Sequence, residues 1–267
     1  MTREVYSQLR LDVEDTSHLV VQVAVAQHPG ARVTEELTFL LDGVRQEPRE
    51  LAGPHRSRVH VLDCPRGRLE ITYSASVTGT ADEVTEEPLD RATYLRPSRY
   101  AESDRLAAEA AAEFGGLRGQ AELLAGVSSW VGDRLAYVPG SSGPTDGAVD
   151  TLLGRAGVCR DYAHLVVALL RAMDVPARLV AVYAPGLSPM DFHAVAEALV
   201  DGRWRVVDAT LLAPRSSLVR ISTGRDAADT AFLSNYGGAV YLQSAEVRAV
   251  VAGDLPTEDV TRLVQLS

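Results

Sequence analysis

The chain has 267 residues, 46% of them hydrophobic and 23% charged, with a formal net charge of -10; values so close to those of folded soluble proteins exclude a disordered or fibrous chain and leave room for two domains. All 26 basic residues are arginines, spread along the chain rather than gathered on one stretch, which excludes nucleic acid as the main partner. The opening residues MTREVYSQLRLDVED lack the apolar core of a secretory signal, and no run approaches the roughly 18 apolar residues that span a bilayer, so no membrane partner and a cytoplasmic location are expected.

From residue 4 to about 80 the apolar residues recur with period two. Leu69, Ile71, Tyr73, Ala75 and Val77 alternate with Glu70, Thr72, Ser74, Ser76 and Thr78, the pattern of a strand with one face in a core. Leu19, Val21, Val23 and Val25 repeat it, and apolar runs near 5–13, 33–41 and 57–63 are separated by Pro-Gly, Asp-Gly and Pro-Arg-Gly breaks. Five or six short strands with turns between them predict an N-terminal antiparallel β-sandwich over 1–93. Within it, Cys64 precedes Pro65 with no histidine or carboxylate cluster at metal spacing, and reads as structural.

Residues 81–103 are acidic and irregular, broken by Pro88 and Pro97, and read as a linker. Ser103 then precedes an alanine-rich run, Asp104 to Phe114, that predicts a helix stopped by Gly115-Gly116. A second helix is predicted over 120–135, with Leu123, Leu124, Val127, Trp130, Val131 and Leu135 on one side. The sequence PGSSGPTDG at 139–147 is a loop by composition. A third helix should begin close to Cys159 and run to about Met173, because Tyr162, Leu165, Val166, Leu169 and Leu170 recur at helical spacing and Pro176 lies beyond. Strand signals return at 178–184 and on both sides of Asp201-Gly202, so 94–267 reads as a second, α+β domain.

Three residues in that domain form a chemical constellation. An isolated cysteine is more often a small buried hydrophobe than a nucleophile, but a thiol at the start of a helix meets unpaired amide hydrogens and the positive end of the macrodipole, which stabilise negative charge on sulfur. Around Asp201-Gly202, a preferred pair for a two-residue primed turn, residues 193–200 and 203–210 read as a hairpin. In that register Val200 faces Arg203 and His193 faces Thr210, so Asp208 shares the His193 face in the diagonal position, about 7 Å away between Cβ atoms. A single bulge would move it to the other face. With this register, Asp208 can fix the imidazole tautomer while the second ring nitrogen serves the Cys159 sulfur. The Cys159 backbone amide is the natural first donor to an oxyanion, and Tyr137 is the candidate second.

These segments, in this order, resemble the bacterial transglutaminase-like superfamily, whose core is a papain-like cysteine-protease fold. The likeness is carried by Gly157, Val158, Cys159, Asp161, Tyr162 and Ala163, by His193, Ala194 and Glu197, and by Trp204, Asp208 and Thr210. It extends over roughly 94–242, taking in 94–100 and 137–141. Val195 and Ala209 stand where the family often has tryptophan and proline. The resemblance implies a transglutaminase-like core, with the nucleophile at a helix N-terminus packed on an antiparallel sheet, preceded by the β domain often attached in bacterial members. It further implies Cys159, His193 and Asp208 as catalytic residues in acyl transfer on a peptide or protein amide; hydrolysis is preferred because water is always available and nothing in the sequence identifies an amine-acceptor site. Two alternatives stand beside this, protein crosslinking and a non-catalytic binding scaffold.

Other residues carry weaker signals. His164, about 140° around the helix from Cys159, should point away from the sulfur and receives no role. Glu197 shares the His193 face and suits either an arginine anchor or an exposed position. Asp226 and Asp229 suit a capped turn better than a calcium site. No zinc motif, phosphate loop or nucleotide fingerprint is present, so no metal and no cofactor are expected, and no heptad indicates an oligomeric state.

Overall fold

The computed structural model describes residues 1–266. Seven strands come first: β1 (Thr2–Val13), β2 (Ser17–Val21), β3 (Arg32–Leu41), β4 (Val44–Gln46), β5 (Arg49–Ala52), β6 (Arg58–Cys64) and β7 (Gly67–Thr78). The alternation read in 69–77 is the burial pattern of β7, with Leu69, Ile71, Tyr73, Ala75 and Val77 all inside. A mixed layer follows: α1 (Asp90–Tyr94), α2 (Ala107–Phe114), α3 (Gln120–Arg134), β8 (Ala136–Tyr137), α4 (Ala148–Gly154), β9 (Ala156–Gly157), α5 (Cys159–Ala172), β10 (Ala177–Tyr183), β11 (Phe192–Val200), β12 (Arg203–Val207), β13 (Val219–Gly224) and α6 (Ala227–Thr230). The last strands are β14 (Leu233–Gly237) and β15 (Val240–Val251). No helix among the described residues is long and apolar enough to cross a membrane.

Two antiparallel sheets, ordered β15-β1-β7-β3-β4 and β14-β2-β6-β5, share one apolar core and form the sandwich. Strands β14 and β15 pair along β2 and β1, so the sandwich draws an edge strand of each sheet from beyond residue 230 and the expected division at 93/94 does not contain it. The pairing is non-local, and period-two patterning shows that a strand exists but not which edge it joins.

A third sheet, ordered β12-β11-β10-β13, carries α5 on one face. Leu165, Leu169 and Leu170 on the helix meet Ala177, Ala196 and Ala198 on the sheet, and α2 and α3 cover the helix from outside. The small residues on the sheet let the helix lie close, and each buried leucine contributes roughly 1.5–3 kcal/mol. Helix α5 is buried almost all round from Asp161 to Arg171, as expected of an element inside a core.

Three departures from the sequence reading have local causes. Helix α2 begins at Ala107 rather than Asp104, because the amides of Arg105 and Leu106 close turns onto Glu102 and Ser103. Helix α4 lies where no helix was read; its seven residues, flanked by Gly147 and ending at Gly154, are too short to display a period. The segment read as a linker is a strap along β12: Trp204 N–H donates to Val84 O at 3.0 Å, and Glu86 N–H to Gly202 O at 3.0 Å. Its buried Asp90 accepts from the Trp204 indole at 3.1 Å.

Candidate active site

The hairpin forms in the expected register. Asp201 and Gly202 both take positive φ, 51° and 74°, as a primed turn requires, and the ladder runs without a bulge from Val200 opposite Arg203 to Ala196 opposite Val207. Pairing stops there, short of Thr210, because Asp208 turns the chain: its Oδ1 accepts from Thr210 N–H at 2.9 Å and from Thr210 Oγ1 at 2.6 Å. Such side-chain to backbone bonds compete with a ladder. The other oxygen, Oδ2, accepts from His193 Nε2 at 2.8 Å, with both side chains buried.

Burial alone would lower the His193 pKa, but the charge and hydrogen bond of Asp208, helped by Cys159, outweigh it and raise the imidazole to about 10. Asp208 responds in the opposite sense. Burial opposes its charge, yet His193 and Thr210 hold the carboxylate below its usual range. Among the described residues, His193 Nδ1 has no aligned hydrogen-bond partner, and the Cys159 thiol beside this imidazole is the group left for it.

Cys159 is the first residue of α5. The helix start is built by Asp161, which is fully buried and accepts from Val158 N–H at 2.8 Å and from Ser142 Oγ at 2.5 Å. Gly157 makes room for it: a Cβ there would lie 2.6 Å from Asp161 Cβ. Gly157 also pairs with Tyr137 in the two-stranded parallel ladder of β8 and β9, which sets Tyr137 against Cys159. Burial, together with Cys159, pushes the phenol up to about 12, so it stays a hydrogen-bond donor at neutral pH. The Cys159 backbone amide faces the same phenol, which brings together the two groups read as oxyanion donors.

A cavity of about 510 Å³ opens beside this pair, lined by Cys159 and His193 together with Tyr100, Arg160 and His164. A family model of the transglutaminase-like superfamily matches residues 108–209, a span that holds Cys159, His193 and Asp208. The crystal structure of a candidate cysteine protease from Cytophaga hutchinsonii is 31% identical, with a TM-score of 0.87, over 98% of this chain and 96% of that one. The chain belongs to the transglutaminase-like superfamily. An uncharacterized protein of Mycobacterium leprae (strain TN) is 30% identical over 122 residues, 41% of this chain and 42% of that protein, so the match spans less than half the length of this curated relative. The periplasmic domain of TgpA from Pseudomonas aeruginosa matches 76% of this chain and 86% of that one at 20% identity and a TM-score of 0.44.

This transglutaminase-like chain is therefore α+β, with a cysteine-bearing helix start packed on an antiparallel sheet. Several residues around the site do more than their local sequence announces. Glu197 is fully buried, not exposed: it lies between Arg178, at 2.7 Å, and Arg220, at 2.6 Å, and although burial opposes its charge the two guanidinium groups lower it to about 2. The signal was a lone charge in the apolar run Ala-Val-Ala-Glu-Ala-Leu-Val. Arg178 stacks over the Trp204 ring at 3.7 Å. Arg171, near the end of α5, donates to the carbonyls of Ala177, Arg96 and Arg225, tying the residues that precede α2 to the helix.

His164 lines the same cavity as Cys159, but its ring is engaged elsewhere. It stacks on Tyr100 at 5.4 Å, accepts from Ala227 N–H at 3.1 Å, and burial lowers it to about 4. Asp226 caps α6 through Ala228 N–H at 2.9 Å and also accepts from Tyr100 N–H, while Asp229 pairs with Arg225; both do the work of a capped turn. Cys64 is buried, its thiol against Pro65 O, and burial raises its pKa. Both cysteines are free.

Proposed function

We propose that this protein is a thiol-dependent acyl-transfer enzyme that cleaves peptide or other amide bonds, with Cys159 as nucleophile, His193 as acid and base, and Asp208 as the group that orients the histidine. The observation that carries this reading is the buried 2.8 Å bond from His193 to Asp208 beside a cysteine that opens a helix. In the first step the sulfur, its proton held on His193 Nδ1, attacks the amide carbonyl carbon. The oxyanion that forms accepts from the Cys159 amide and Tyr137. The C–N bond then breaks as Nδ1 hands its proton to the leaving amine, leaving a thioester. Water attacks the thioester and gives a proton to His193, and the C–S bond breaks to release the acid and regenerate the thiol. Hydrolysis is preferred to crosslinking because water needs no dedicated acceptor site.

The cytoplasm is the proposed compartment, since its reducing thiol pool keeps Cys64 and Cys159 free. Mapping iodoacetamide adducts on the native protein across pH tests the nucleophile. Selective modification of Cys159 over Cys64, lost in His193→Gln, supports the reading; equal sluggish modification of both supports a binding scaffold instead. A peptide-amide library read against Cys159→Ala then identifies the substrate.

A further inference from the structure

The cavity beside Cys159 is built by two parts of the chain. Leu179 and Ala181 on β10 lie on one face of the third sheet with Phe192 and Ala194 on β11, since Ala181 is opposite Ala194 and Tyr183 opposite Phe192. At one end this face is covered by α5, and at the other by the sandwich, where Tyr183 and Phe192 join the core of β1 and β7. The cavity is the gap between these two covers. Gln22, just after β2, and Phe232 and Ser234, at the start of β14, close its sandwich side.

The chemistry of the gap is apolar. Phe192 and Phe232 are stacked at 5.0 Å and 18°, and Ile221 lies beside them. The Gln22 amide nitrogen turns away to the carbonyls of Asp229 and Ala231. Ala181 and Ala194, both half-buried, are small enough to leave the space open. The two cations on its wall already have partners: Arg160 is paired with Asp161 at 3.0 Å and His193 with Asp208 at 2.8 Å. A cationic side chain entering here meets like charge and an apolar floor; an anionic one gives up hydration against a guanidinium that has its partner. A large apolar side chain loses nothing and gains burial.

We propose that this cavity holds an aromatic or large aliphatic side chain of the acyl donor next to the scissile amide, so that the sandwich supplies part of the substrate-recognition surface. This inference rests on the acyl-transfer reading above and names the substrate class for the same site.

The test uses N-acetyl aminoacyl chloromethyl ketones bearing phenylalanine, leucine, alanine or lysine side chains, with the rate of Cys159 alkylation on the full chain read by mass spectrometry. The phenylalanine and leucine probes are expected to react at least about tenfold faster than the alanine probe, and the lysine probe no faster than alanine. Equal rates for all four, or a preference for lysine, overturn the inference while leaving a reactive thiol. An inert Cys159 overturns the acyl-transfer reading and the inference with it. Ala181→Leu and Ser234→Leu narrow the cavity from the sheet side and the sandwich side, and whichever melts like the parent protein is scored. The phenylalanine-to-alanine ratio should fall toward one; an unchanged ratio places the selectivity elsewhere and overturns the assignment.

Discussion

His193 Nε2 meets Asp208 Oδ2 at 2.8 Å inside the protein, while the other carboxylate oxygen is held by Thr210. The division of the two oxygens determines what an amide would do in the same place. In Asp208→Asn, the two Thr210 donors select the amide oxygen, so the amide NH2 faces His193. Nε2 must then accept, and the imidazole proton moves to Nδ1, where it can no longer receive the thiol proton. The variant should keep its far-UV spectrum and lose activity on the order of 10⁴-fold. Steady-state turnover of an amide substrate measures this, and an undiminished rate removes Asp208 from the mechanism.

The same pair makes stability depend on pH. His193 is raised from 6.5 to about 10, so its contribution is complete below about pH 6.5 and is lost as pH rises through 10. Asp208 is lowered from 3.8, so its contribution is present above that value and is lost as pH falls through the folded-state value. The difference in urea midpoint between the parent and a His193→Gln, Asp208→Asn double variant should be widest between roughly pH 4 and 6.5 and narrow steadily toward pH 10. A difference that does not vary with pH contradicts the assigned protonation.

Glu197 compensates two buried guanidinium groups. Replacing it with glutamine leaves both without a counter-charge in a site that water does not reach, at a cost of about 3–5 kcal/mol. Glu70→Gln, which breaks an exposed pair with Arg10, should cost under about 1 kcal/mol. Chemical denaturation of the two variants side by side separates these outcomes, and similar losses would mean that Glu197 is not the electrostatic centre of the sheet.

Gly157→Ala forces a methyl group into the Asp161 side chain and so disturbs the carboxylate that caps the Val158 amide. The expected result is a lower melting temperature, by several degrees for a loss of roughly 1–3 kcal/mol, and slower alkylation of Cys159 by iodoacetamide. Gly154→Ala, where an added Cβ meets nothing within 4 Å, serves as the control and should leave the alkylation rate unchanged.

Much of the site was legible because its geometry is local. A two-residue turn fixes the register of its strands, so the positions of His193 and Asp208 follow from Asp201-Gly202, and Cys159 at the first turn of α5 follows from helical spacing and Pro176. The end of β12 was missed by three residues, because an aspartate that binds the backbone two residues ahead ends a ladder without any change in hydrophobic pattern. Glu197 illustrates a different limit: its arginine partners sit on β10 and β13, and strand order is a property of the sheet, not of any one strand. The cavity was invisible for the same reason, being lined by residues from 22 to 234 that meet only when the sandwich closes on the third sheet.

Strand β15 pairs with β1 from Val13 opposite Val240 to Arg3 opposite Val251. During synthesis the first strand therefore leaves the ribosome well over two hundred residues before its outer neighbour, and one whole edge of β1 stays open while β8 to α6 are being made. The third sheet and its helix, whose contacts are much closer in sequence, can consolidate first. A nascent chain stalled near residue 238 should then expose a long unpaired strand edge to protease and to other chains, and extending it past Val251 should protect residues 2–13 in one step.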